Sequence, residues 1–177
     1  FIISDNEQGA YGIGQALARA LKERGWDNGP VGVVSISLAR LNGQARTRGF
    51  RKAMEEAGIQ IVQIQQMQTY TANETFQFVQ DMLTAHPNLR GLFIQTDSPT
   101  LGAVRAVRVS RRQNDLLIAG FDGIPAFVDM IRNGEIIGSG MQQPWLMGYE
   151  SFKAMWAHLQ GQEVPKEILV PIQVVTV

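Results

Sequence analysis

The chain has 177 residues, 45% hydrophobic and 18% charged, with equal numbers of basic and acidic side chains and no cysteine. That length and apolar content support one well-buried domain with an appendage and exclude a disordered chain. A net charge of zero without a basic tract removes the attraction to phosphates on which nucleic-acid binding depends, so no nucleic-acid partner is expected.

The lack of cysteine excludes disulfides, thiolate metal sites and a cysteine nucleophile, and leaves the redox compartment open. No apolar run approaches the roughly 20 residues that span a bilayer, so no membrane insertion is expected. No signal-peptide pattern is visible. The opening Phe1-Ile2-Ile3-Ser4-Asp5 reads as the end of a buried strand without a methionine or a polar lead-in. It points to a chain cut from something longer.

Beyond it, Ser4-Asp5-Asn6 opens a helix over about 12–24. Val31-Gly32-Val33-Val34-Ser35-Ile36 is the first full apolar run, followed by a helix over 44–57. A second run over 59–64 precedes a helix over 73–85, and Leu92-Phe93-Ile94 precedes one over 100–110. Leu116-Leu117-Ile118-Ala119-Gly120 precedes a helix over 125–133, and a fifth run covers 136–141. Short apolar runs alternating with helical segments predict an α/β fold with a parallel sheet covered on both faces. In the second run, glutamines recur among isoleucines, so part of one face is wet. That marks an edge strand, as the doubly wound, flavodoxin-like order 2-1-3-4-5 requires.

Gly58 and Asn133-Gly134 supply left-handed residues at helix ends, and Asp97 and Ser98 stand where N-caps belong, before Pro99. Pro144, a helix over 147–160 and a last apolar stretch over 168–177 fit poorly into one five-stranded domain. They are expected to pack on a second lobe.

Ligands of open parallel sheets sit outside the carboxyl ends of the strands. The residues there are Arg40, Asn42 and Arg46; Gln68, Thr69 and Tyr70; Gln95, Thr96 and Asp97; Phe121 and Asp122; and Gln142 and Gln143. Such a rim of hydrogen-bonding groups, a fork donor, a carboxylate and two aromatics suits a small polyhydroxylated ligand. Each also has a plainer reading: Asp97 as a helix cap, Asp122 as a turn residue, Arg46 as a solvated helix residue, Tyr70 as packing. Arg105, Arg108 and Arg112 share a helical face that reads as solvated. His86 and His158 lie far apart without carboxylate-rich surroundings, so no metal is expected. Gly9, Gly12 and Gly14 do not have dinucleotide-binding spacing, and no cofactor is expected. There is no nucleophile elbow, P-loop or zinc-protease motif, so the chain reads as a binder and not an enzyme.

Several motifs in register resemble the second lobe of ribose-type periplasmic sugar-binding proteins. They are Ser4-Asp5-Asn6, Ala45-Arg46-Thr47-Arg48-Gly49-Phe50, Gln95-Thr96-Asp97 with Leu101-Gly102-Ala103, Gly120-Phe121-Asp122-Gly123-Ile124-Pro125, and Gln142-Gln143-Pro144 with Gly148. The resemblance covers essentially the whole chain. It implies two flavodoxin-like lobes joined by three crossovers, with ligand in the cleft between them. Residues 1–142 would form the second lobe, entered at the first crossover. Residues 143–177 would supply a helix of the first lobe and a strand returning across the hinge.

By the same resemblance, Arg46 bridges sugar hydroxyls, Asp122 accepts from them, Phe121 precedes it as in the family, and Gln142 reaches the ligand from the hinge. Tyr70 falls where a ring contact is found. Thr96 departs from the pattern, which commonly has Asn or Asp there, and so puts ribose in doubt more than a sugar-like ligand. The implied role is a periplasmic receptor that passes a sugar or polyol to the membrane component of an ABC transporter. The same fold serves the effector domains of LacI-type transcription regulators and sensory receptors that feed a kinase or chemoreceptor. The run from Phe121 to Pro125, followed by Asn133-Gly134-Glu135, reads more like receptors than regulators.

Overall fold

In the computed structural model, which describes residues 1–177, strands and helices alternate along the chain. Strand β1 (Ile2–Ser4) leads into α1 (Asn6–Glu23). Four strand–helix units follow: β2 (Val31–Ser35) with α2 (Leu41–Ala57), β3 (Ile61–Gln66) with α3 (Ala72–Ala85), β4 (Gly91–Ile94) with α4 (Asp97–Val109), and β5 (Leu117–Asp122) with α5 (Ala126–Arg132). Then come β6 (Gly138–Met141), α6 (Pro144–Leu159), β7 (Ile168–Val170) and β8 (Gln173–Thr176).

The main sheet has the order β3-β2-β4-β5-β6-β8. Its first five strands are parallel and follow the doubly wound order expected from the sequence, while β8 is antiparallel to β6. Strand β3 stands at the edge, half-buried along its whole length, as its interleaved glutamines require. The inner strands β2 and β4 are buried throughout because helices cover both faces.

On one face, Leu92, Ile94 and Ile118 pack with Val79, Met82, Ala103 and Met130 from α3, α4 and α5. On the other, Val33, Phe93, Ala119 and Phe121 pack with Ile13, Leu17, Phe50 and Met54 from α1 and α2. Phe50 stacks on Phe93 with centroids 4.4 Å apart, and Phe121 meets Phe93 edge-on at 6.1 Å.

Helix α1 begins at Asn6, six residues before the start read from the sequence, and two further details depart from that reading. The last apolar stretch is not one strand. Pro171, which has no N–H to donate, separates β7, which pairs in parallel with β1, from β8, which extends the main sheet. The cap of α4 is Thr96, without a side-chain cap bond, while Asp97 lies in the first turn and accepts from the Ser98 N–H at 2.6 Å. Helix α6 buries none of its residues, and Trp145, Phe152, Met155, Trp156 and Leu159 are exposed along it. No helix is long and apolar enough to cross a membrane.

Two glycines allow helix backbones to approach closely. A Cβ on Gly49 of α2 would collide with the Glu7 carbonyl of α1, and one on Gly102 of α4 with the Ala72 carbonyl at the start of α3. Gly49→Ala and Gly102→Ala are each expected to lower stability by about 1–3 kcal/mol through overpacking. Chemical denaturation checks this; wild-type midpoints would show that the helices move apart at no cost.

Candidate functional site

Parallel strands end on the same side of the sheet, so the residues that follow them converge there. Asp122 is the last residue of β5, held at φ 79°, a left-handed conformation that aspartate tolerates better than most residues. Thr96 follows β4, Gln142 follows β6, and Arg46 stands in the second turn of α2. Ser4 ends β1 and Asn6 begins α1.

Arg46 is only 3% exposed. Its Nε donates to Asn6 Oδ1 at 2.8 Å, its Nη1 to the Gln95 carbonyl at 2.5 Å, and its Nη2 pairs with Asp122 Oδ1 at 2.9 Å. The guanidinium lies 4.1 Å from the Phe121 ring centroid. Burial draws the Arg46 pKa down from its ordinary value, and the charge and hydrogen bond of Asp122 oppose that shift.

Asp122 Oδ1 also accepts from Gln142 Nε2 at 2.6 Å, and Oδ2 accepts from the Thr96 hydroxyl at 2.7 Å. Gln142 Oε1 in turn accepts from Ser4 Oγ at 2.7 Å, and Asn6 Nδ2 donates to the Ser4 carbonyl at 2.8 Å. The bonds therefore close a ring: Ser4, Gln142, Asp122, Arg46, Asn6 and back to Ser4. Gln95 braces it from the core side, donating to Thr47 Oγ1 at 2.8 Å and accepting from the Ile36 N–H at 3.2 Å. An open hollow beside the ring is lined by Asp122, Met141, Gln142, Pro144, Trp145 and Met147 among others.

Of the residues singled out from the sequence, Arg46, Thr96, Asp122 and Gln142 meet in one network. Phe121 is fully buried and forms the floor under Arg46. Tyr70 stands apart, on the β3 side of the lip, and its hydroxyl accepts from the Ser37 N–H at 3.1 Å. Its ring lies 5.4 Å from the Arg40 guanidinium, and its backbone is left-handed at φ 57°. Glu74 shapes that turn, accepting from the N–H groups of Gln68, Thr69 and Tyr70 and from the Thr69 hydroxyl. Sequence reading left out Ser4 and Asn6 as site residues, and placed Gln95 on the rim without singling it out as a ligand contact. Their signal was present: polar side chains directly at strand ends, where an apolar run stops. No group of three or more histidines, cysteines or carboxylates is placed to hold a metal ion.

Two consequences are measurable. Asp122→Asn keeps the shape and the left-handed backbone but leaves the buried guanidinium unpaired, so it should cost about 3–5 kcal/mol. Adding Arg46→Met should recover part of that loss, and a double-mutant cycle by chemical denaturation checks it. For Glu74, partial burial acts to raise the pKa, but the hydrogen bonds from residues 68–70 outweigh it and hold the carboxyl below its ordinary 4.5. A depressed folded-state pKa contributes stability above the unfolded value that is lost as pH falls through the folded value. The stability difference between wild type and Glu74→Gln should therefore shrink below about pH 4.5. Melting curves at pH 6 and pH 3 test that, and an equal difference at both would refute it.

Residues 1–163 match the family model described as periplasmic binding protein domain. The chain is 34% identical to the D-ribose/D-allose-binding protein of Pseudomonas aeruginosa over 142 residues, covering 80% of this chain and 43% of that protein. It is 26% identical to the ribose import binding protein RbsB of Escherichia coli, covering 98% of this chain and 57% of the relative. The chain thus spans about half the length of these curated relatives. A periplasmic solute-binding protein of an ABC transporter from Actinobacillus succinogenes, solved with bound D-allose, superposes with a TM-score of 0.89 at 28% identity, covering 98% of this chain and 60% of that one. With its sheet order and motifs already in place, the chain belongs to the ribose-type periplasmic binding protein family.

Proposed function

We propose that this chain is one lobe, with hinge segments, of a receptor that binds a sugar or polyol in an interlobe cleft and delivers it to an ABC transporter in the periplasm. The observation that carries this reading is the ring built on the Arg46–Asp122 pair at the carboxyl ends of β4, β5 and β6. It gathers charge-assisted donors and acceptors within reach of one another, the arrangement that adjacent hydroxyls of a sugar can satisfy. Its groups already hold each other, so the site offers fixed hydrogen bonds and no free base or nucleophile. That is a binder's chemistry. The names of relatives point the same way: ribose import, D-ribose and D-allose binding, and a structure with D-allose.

The division into lobes rests on α6. A helix with Trp145, Phe152, Met155, Trp156 and Leu159 exposed needs a partner surface. A first lobe outside these residues would supply it, with 1–142 forming the second lobe and 143–177 reaching back across the hinge. Strand β8 is the exception within that last segment, because it pairs with β6 of the second lobe. Ligand that touches both lobes favours the closed form by its extra contacts there, and the closed form is what a membrane component would recognise.

Calorimetry of the full-length protein with neutral sugars tests the reading. Arg46→Ala and Asp122→Ala should each weaken binding by about tenfold or more, or 1.4 kcal/mol. If both variants bind as tightly as the parent, the site is wrongly placed.

A further inference from the structure

Thr96 stands where the family pattern has an amide or a carboxyl, and its bond to Asp122 decides which half of a hydroxyl's chemistry it can use. A hydroxyl has one proton and two lone pairs. The proton goes to Asp122 Oδ2 at 2.7 Å, and no protein donor reaches the lone pairs. Asp122 Oδ1 is taken by both Arg46 and Gln142, so the carboxylate's open capacity lies on Oδ2, beside Thr96. The bond to a carboxylate is charge-assisted, and swinging the proton toward a ligand would strip Asp122 of it.

We infer that Thr96 is a specificity-determining residue that acts only as an acceptor: with Asp122 Oδ2 it forms a double acceptor for two hydroxyls on adjacent carbons of an uncharged sugar. The 2.7 Å between the two oxygens is a spacing that neighbouring hydroxyls of one sugar can address together. The charge class follows from the pair beneath. Arg46 and Asp122 cancel, and no further cation joins the ring, so the phosphate of a sugar phosphate or the carboxylate of a sugar acid would meet no unpaired cation within it. An amide at the same position would present N–H donors and favour a ligand oxygen that carries no proton. This inference rests on the receptor reading above and sharpens it.

The test is calorimetry on the full-length protein with D-ribose, D-allose, D-ribose 5-phosphate and the monodeoxyfluoro analogues of whichever neutral sugar binds. Fluorine keeps the size of a hydroxyl but cannot donate. The wild type should lose about tenfold or more at two adjacent positions and should bind the phosphate ester worse than its parent sugar. Thr96→Ser should preserve the ranking of analogues, and Thr96→Asn should reduce the penalty at one of the two positions. Binding of a sugar by the wild type with no such pair of positions, or an unchanged ranking in Thr96→Asn, overturns the role of Thr96 and leaves the receptor reading intact. If the wild type binds none of the neutral sugars, the receptor reading falls and this inference with it.

Discussion

A guanidinium out of water must be matched or the fold does not hold it, and this constraint organises the molecule. Arg46 is buried and its charge is compensated by one carboxylate, Asp122, on a different element. For them to meet, α2 must approach the sheet closely and β5 must end in a residue that points its carboxylate back over the sheet's edge. Gly49 provides the first by letting α2 lie against the backbone of α1. The left-handed backbone of Asp122 accompanies the second. Phe50, Phe93 and Phe121 form an aromatic floor, and the last of these lies under the guanidinium itself. Core packing and site geometry are therefore one problem in this chain, solved by the same residues.

Much of this was legible in the sequence because it depends on local pattern. Alternation of apolar runs with helical segments specified the doubly wound sheet, and the glutamines of β3 marked its edge. The strand-end rule then placed Arg46, Thr96, Asp122 and Gln142 on a wider polar rim, and the family resemblance singled them out from it. What escaped was set by pairing between distant segments. Nothing local in the stretch over 168–177 announces that β7 joins β1 while β8 joins β6. Ser4 and Asn6 were read as the opening of a helix and as part of a family motif but not as site residues, because their partners, Gln142 and Arg46, lie 138 and 40 residues away.

Tyr70 shows the limit of the strand-end rule. It follows β3, as a rim residue should, yet β3 is the edge strand and lies two strands from β4. Its hydroxyl is engaged by the Ser37 N–H, and the Glu74 carboxylate fixes the turn that presents it. The rule places residues on the correct lip but does not say which of them touch one another. That depends on strand order, which brings the ends of β4, β5 and β6 side by side and leaves β3 at a distance.

The ring also contains a member that the main sheet does not supply. Ser4 belongs to β1, which pairs only with β7, and Gln142 follows β6 immediately before α6. The bond from Ser4 to Gln142 ties these two chain segments together beside the charged pair. In a two-lobed protein such segments would be crossovers, and a shift of one against the other would change the bond that holds Gln142 over Asp122. On the proposed reading, the hydrogen bonds that would prepare this lobe for a ligand would be the same ones that join it to the hinge. Binding geometry and lobe orientation would then be coupled by direct contact, through Gln142, without any longer path through the core.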